Sequence, residues 1–346
     1  MLKAAVLGAG YMGSAITYPL ADNGIETNLW GTWLDDSIID SCLAGYHPKL
    51  KKPLQDGVHP MYRKNLKQAA IDVDIIFIAV ASEGFVPVFK MLLETIDRNY
   101  YFFKLTKGLV SYNDSIVRAS QAAYDIFKKK FGNKEFLWAT VGGPVRALDL
   151  AYKTISASMF GISTKKIKKI LSKISTEYYR TFSSDDLAGV EICSTFKNIY
   201  SIAPGICDGL FKVSKDGLYY NLVAFLFNQA SIEISKVAQA AGGKKETAFN
   251  LAGIGDLHVT SAAGRNRRYG EMIGKGIDPT RAFKKMYDEG EYGEGYVALN
   301  LAFPWLSNFN INIKNELPLL DFLYSIIFKK ADPCQELIKF AKGLGF

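Results

Sequence analysis

A chain of 346 residues is long enough to bury a large core and favours two domains, and 49% hydrophobic against 22% charged residues is the balance of an ordinary globular protein. The net charge of +8 would suit nucleic acid, an anionic membrane or phosphorylated small molecules, but the bases are dispersed. The tightest group, Lys165, Lys166, Lys168 and Lys169, has no aromatic platform and reads as the solvated face of an amphipathic helix, which argues against nucleic acid.

Lys3 to Leu7 form an apolar run ending in G-A-G-Y-M-G, Ser14 to Leu20 continue as a helix, and Thr27 to Trp30 form a second strand. A lysine before an apolar run outlines a signal peptide, yet the glycines split the run as a folded strand and helix would. This is the context that a dinucleotide fingerprint requires. Gly8 permits the tight turn, Gly10 lets the backbone approach a pyrophosphate, and Gly13 allows close helix packing, with the helix N-terminus favouring the anion. At the end of the second strand the usual ribose-reading acid is missing. Gly31 and Thr32 stand there, Asp35 and Asp36 come later, and no Arg replaces the acid, so the choice between NAD and NADP stays open.

Residues 47 to 64 read as a long surface connection. After it come a strand from Ile75 to Val80, a helix from Gly84 to Leu93 with Pro87 in its first turn, and a strand from Tyr100 to Leu105. A helix from Asn113 to Phe131, strands at Leu137 to Val141 and Thr154 to Met159, and a helix from Lys165 to Tyr178 follow. Such alternation predicts an α/β fold, a doubly wound and mostly parallel sheet covered on both faces. In such sheets ligands meet the carboxyl ends of the strands, where Lys107 and Gly143 fall. Ser183, Ser184 and Asp185 should cap whatever comes next, and beyond them helical patterns dominate. We therefore expect a dinucleotide-binding domain over 1–185 and an all-helical C-terminal domain over 186–346.

The stretch from Gly189 to Gly209 is apolar at nearly every helical position, yet Lys197 and Asn198 sit in its middle. A buried ammonium must be paired or lose its proton, and a desolvated Lys can titrate near neutral pH and act as a general acid or base. A snorkelling Lys with a packed stem is the bland alternative. Cys193 and Cys207 lie on that one predicted helix, too far apart for a disulfide, and with Cys42 and Cys334 they show no metal-ligand spacing. With only three histidines as well, the chain has no evident metal site and suits a reducing, cytoplasmic compartment.

From Gly253 to Gly276, glycines and small residues loosen the backbone before Arg265, Asn266, Arg267 and Arg268, and Tyr269 to Ile273 turn helical. An Arg and an Asn at a helix start suit a phosphate, and Asp256 upstream could orient a catalytic Lys. The alternatives are a solvated basic turn and a helix cap. The longest uncharged stretch, Gly295 to Ile313, contains Pro304 and is a poor membrane span.

Taken in order, GAGYMG, LTKGL, GGPVRA, GVEICSTFKNIYSIAPGICDG, GIGDLHVT, GRNRRYGEMIGKG and GEGYVA resemble the motif set of the NAD(P)-dependent sn-glycerol-3-phosphate dehydrogenases, from residue 3 to about residue 330. The resemblance implies an N-terminal Rossmann domain, a helical C-terminal domain, and a cytoplasmic homodimer that interconverts sn-glycerol 3-phosphate and dihydroxyacetone phosphate with NAD or NADP. Lys197 then matches the proton acceptor, with Lys107, Asn198, Asp256 and Thr260 around it and the glycerol hydroxyls. Arg265 and Asn266 match the phosphate grip, Arg265 also lying near the cofactor. Tyr11, Met12, Ala147 and Glu294 match cofactor-contacting positions; Thr32 is also a cofactor-binding candidate, but it matches neither common way of reading the ribose.

Two loops depart from the bacterial pattern. Val145, followed by Arg146, stands where bacterial members usually carry Ser or Thr, and the short spacing from Asp256 to Arg265 resembles the eukaryotic loop. Reduction of ketopantoate or a 3-hydroxy acid on the same architecture, or dinucleotide sensing without turnover, are the competing expectations.

Overall fold

The computed structural model describes residues 2–212, 219–262 and 264–343, in a first unit ending at Glu191 and a second beginning at Ile192. The first unit contains strands β1 (Lys3–Leu7), β2 (Glu26–Trp30), β3 (Val58–Met61), β4 (Ile75–Ile78), β5 (Tyr101–Lys104), β6 (Leu109–Tyr112), β7 (Ser115–Arg118), β8 (Trp138–Gly142), β9 (Ser156–Ile162) and β10 (Tyr179–Ser184). Eight of them form one sheet in the order β10-β9-β8-β5-β4-β1-β2-β3, while β6 and β7 form a separate hairpin. Every pairing in the large sheet is parallel except β8 with β9.

Alternation along the strands explains the two cores. Val6, Phe77, Phe103 and Val141 point to one face, and Leu7, Ile76, Ile78, Phe102 and Trp138 point to the other. Both faces are covered, so the central strands are apolar throughout. Each fully buried Leu, Ile or Phe contributes about 1.5–3 kcal/mol.

Several elements differ from the sequence reading, for local reasons. The expected helix from Asn113 begins only at Ala119, because Asn113 and Asp114 both take positive φ (48° and 57°) and close the β6–β7 hairpin with a two-residue turn. The connection over 47–64 contains β3, and it is no mere surface loop, since His47 and Leu50 are fully buried. Pro87 lies inside the helix Ser82–Thr95, past its first turn. The helix expected to Tyr178 stops at Ile174, leaving Tyr179–Ser184 free to add the edge strand β10. Asp186 caps the following helix by accepting from Gly189 N at 2.9 Å, and Ser184 Oγ accepts from Asp186 N at 3.1 Å just before it.

The long helix expected from Gly189 to Gly209 is two helices, Leu187–Tyr200 and Ile202–Phe211. Pro204 has no N–H to return to Tyr200 and ends the ladder there. Burial is as the pattern demands: every residue from Gly189 to Asp208 is buried.

Among the described residues every regular element that begins in the second unit is helical. Its tightest packing joins Ile202–Phe211 to Arg265–Gly274. A Cβ on Gly205 would lie 2.0 Å from the Arg267 carbonyl oxygen, and one on Gly270 would lie 2.1 Å from that of Ile202. Only glycine permits that approach. The loosened backbone expected before Arg265 is in fact a single π turn, Leu251–Gly255, running into the helix Asp256–Ala262.

A buried carboxylate ties this unit together. Glu233, on the helix Tyr220–Ala240, accepts from Leu319 N and Leu320 N in the first turn of Pro318–Phe328, from Gln229 Nε2, and from Tyr200 Oη. Burial pushes its carboxyl up to about 7 against the pull of those four donors. The folded state therefore binds more protons than the unfolded chain between about 4.5 and 7, so this stabilisation is full at low pH and is lost as pH rises through 7. Glu233→Gln should accordingly gain on wild type by up to about 3 kcal/mol between pH 5 and 8. Urea unfolding at the two pH values reads that gain, and a difference independent of pH contradicts the assignment.

Candidate active site

The first unit presents its candidate residues at the carboxyl ends of β1, β2, β5 and β8. After β1, Gly8 has φ +112°, and a Cβ there would lie 2.7 Å from the Ala79 carbonyl oxygen. On Gly13 it would lie 2.0 Å from the Gly8 carbonyl oxygen. On Gly10 it would meet nothing within 4 Å, so the turn is closed behind and open in front. That shape fits a dinucleotide's pyrophosphate. Tyr11, exposed, and Met12, half-buried, open the helix Tyr11–Asp22, whose first turn carries no acid to neutralise its positive end.

Beneath that helix His47 Nε2 lies 2.7 Å from Ser14 Oγ, and Nδ1 accepts from Leu50 N at 3.1 Å, which places the ring hydrogen on Nε2. Burial pulls His47 below the usual imidazole range, favouring this neutral form. Thr32, after β2, is buried and bonded to Asp35. Lys107 follows β5, half-buried. Gly143 follows β8 with φ +130°, and a Cβ on it would lie 2.9 Å from the Ala157 carbonyl oxygen. Ala147 begins the short helix Ala147–Ala151.

The second unit gathers the rest. Lys197 is 5% exposed; its Nζ pairs with Asp256, itself fully buried, and donates to Thr260 Oγ1 at 2.7 Å. Thr260 in turn donates to the Asp256 carbonyl oxygen at 2.7 Å, which leaves its oxygen lone pairs for Nζ. Asn198, the next residue along, starts a second chain of contacts. It donates to Glu294 at 3.0 Å and accepts from Asn266 Nδ2 at 3.3 Å, while Asn266 Oδ1 accepts from Gly295 N at 2.9 Å. Arg265 Nη2 reaches the other oxygen of Glu294 at 2.9 Å.

The three arginines of the loop separate cleanly. Arg267 makes a two-pronged pair with Asp208 at 2.5 and 2.9 Å and also donates to the Ser261 carbonyl at 2.5 Å, so it is structural. Arg268 is spanned by Glu289 and Glu291. Arg265, with one carboxylate partner and a side chain 37% exposed, is the one placed to take an anion.

Sequence reading overlooked a buried pair. Lys104, the last residue of β5, and Glu191 are both fully buried, 2.8 Å apart. Glu191 also accepts from Ser120 N at 3.0 Å and from Ser120 Oγ, and lies 3.5 Å from Arg118, so it caps the helix Ala119–Phe131. Burial works to raise its carboxyl, but the charges of Lys104 and Arg118 outweigh that and hold it below the usual range. Burial likewise pulls Lys104 down, with Glu191 opposing. The signal was present as one charge in each of two otherwise apolar runs, YYFFKL and GVEIC.

Comparison with known proteins gives a consistent pattern. The N-terminal model of NAD-dependent glycerol-3-phosphate dehydrogenase matches residues 3–168, and the C-terminal model matches 186–338. A protein of Archaeoglobus fulgidus named NADP(+)-dependent glycerol-3-phosphate dehydrogenase is 32% identical over 94% of each chain. The crystal structure of glycerol-3-phosphate dehydrogenase from Coxiella burnetii superposes with a TM-score of 0.83 at 26% identity, covering 99% of both chains. A ketopantoate reductase from Ralstonia eutropha shares the fold, with a TM-score of 0.59 at 13% identity over 95% of this chain and 99% of that one.

Proposed function

The chain belongs to the NAD-dependent glycerol-3-phosphate dehydrogenase family, and from that membership we propose that Lys197 moves the substrate's proton. The reaction interconverts sn-glycerol 3-phosphate and dihydroxyacetone phosphate with NAD or NADP. Oxidation removes one hydride from C2 and one proton from its hydroxyl. A bound nicotinamide would supply the hydride acceptor for oxidation and the hydride donor for reduction. Neutral Lys197 Nζ accepts the hydroxyl proton, and its ammonium form gives the proton back in reduction. The observation that carries this role is a lysine buried in the last turn of Leu187–Tyr200, held at Nζ by Asp256 and Thr260.

Asn198 and Thr260 then face the glycerol hydroxyls, and Arg265 and Asn266 grip the phosphate, with Lys107 and Gly143 as further substrate contacts. The dinucleotide is held by the Gly8, Gly10 and Gly13 turn with Tyr11, Met12 and Thr32. Lys107, Ala147, Arg265 and Glu294 complete the cofactor contacts. A small substrate offers few handles, so phosphate binding supplies the energy that aligns C2.

Arg265→Ala should lower kcat/KM for dihydroxyacetone phosphate by about 10- to 100-fold, the worth of a hydrogen bond to a charged group, and leave the slow reaction with unphosphorylated dihydroxyacetone unchanged. Equal losses on both substrates argue against a phosphate role.

The same proposal places the enzyme in the cytoplasm as a homodimer, which light scattering reads directly. Thiols at Cys42, Cys207 and Cys334 support a reducing compartment. Among the described residues no helix is long and apolar enough to cross a membrane.

A further inference from the structure

No acid stands at the end of β2, but a carboxylate from further along the chain turns back to it. Asp35 turns back so that its Oδ2 accepts from Thr32 N at 2.9 Å, Thr32 Oγ1 at 2.8 Å and Ala9 N at 3.4 Å. Ala9 is the middle residue of the G-A-G turn. The carboxylate thus bridges the turn after β1 and the end of β2, two places that flank the adenosine half of a dinucleotide in a doubly wound sheet. It is 8% exposed, and its three bonds all fall on Oδ2, which leaves Oδ1 as the oxygen for a ligand hydroxyl.

The surroundings agree in sign. From Gly31 to Pro48 the chain carries Asp35, Asp36 and Asp40 and neither Lys nor Arg. Trp33 and Leu34, 44% and 74% exposed, offer apolar surface for a base just before the carboxylate. The next base along the chain, Lys49, lies over the Tyr11 ring at 5.6 Å, at the start of the phosphate-facing helix.

We infer that Asp35 reads the adenosine ribose, accepting from its free hydroxyl, and that it makes this chain prefer NAD over NADP. The inference rests on the dinucleotide reading of the glycine turn. A 2′-phosphate would bring two negative charges against a carboxylate already committed to the backbone, and a hydroxyl brings a donor.

The test is calorimetric titration of the full-length protein, without substrate, using NAD+ and NADP+ and the fragments 5′-AMP and 2′,5′-ADP. Wild type should bind NAD+ at least about tenfold more tightly than NADP+, with the fragments in the same order, as expected for like charges brought close. Asp35→Asn preserves the shape and an acceptor for Thr32 N, and should shrink both ratios about tenfold or more. Equal or tighter binding of NADP+ by wild type overturns the inference without needing the variant. Ratios unchanged in a variant that melts like wild type overturn it too. Binding of NAD+ with the wrong ratio leaves the dinucleotide reading standing, whereas binding of neither dinucleotide removes both.

Discussion

Lys197→Ala should lower kcat by about 100- to 10,000-fold, the usual worth of a positioned general acid or base. Dinucleotide binding should persist, because the glycine turn lies in the first unit. Lys197→Arg sharpens the result. A guanidinium keeps the positive charge beside Asp256 but does not give up its proton near neutral pH, so a proton-transfer role predicts that it too is inactive. If the Arg variant restores turnover, Lys197 acts only through its charge. Retention of wild-type kcat in the folded Ala variant removes the assignment altogether.

Glu191→Ala should cost about 3–5 kcal/mol of stability, the range for removing one partner of a buried ion pair. Two losses combine there. Lys104 is left as a buried charge without its carboxylate, and Ser120 N in the first turn of Ala119–Phe131 loses its acceptor. Urea unfolding measures the cost, and a loss below about 1 kcal/mol would mean that Lys104 finds water or sheds its proton freely. Replacing both partners, Lys104→Met with Glu191→Leu, should recover most of the loss, since a well-packed apolar pair is often as stable as the ions.

Much of this is legible in the amino-acid sequence. The glycine spacing of G-A-G-Y-M-G could be read because each glycine has a separate steric duty, and the duties reappear as a closed back and an open front. Lys197 stood out because an apolar helix rarely carries a charge at its centre. What stayed hidden depends on partners distant in sequence. No spacing rule announces that Asp35 folds back onto Ala9 or that Arg267, rather than Arg265, is the arginine spent on Asp208. The turn and β7 of the β6–β7 hairpin read as helix because their signal is two positive φ values at Asn113 and Asp114, and helical periodicity nearby outweighs it. The break before Pro204 could have been anticipated, since a proline in a long buried helix removes a backbone bond whatever the hydrophobic pattern.

The measurement that bears most directly on the central claim is the absorbance of reduced nicotinamide on mixing the protein with dihydroxyacetone phosphate, with NADH and NADPH in parallel and ketopantoate as control. Oxidation with dihydroxyacetone phosphate and not with ketopantoate is the predicted result. No oxidation with dihydroxyacetone phosphate, from a protein that demonstrably binds the dinucleotide, would contradict the account and leave a sensor in place of an enzyme.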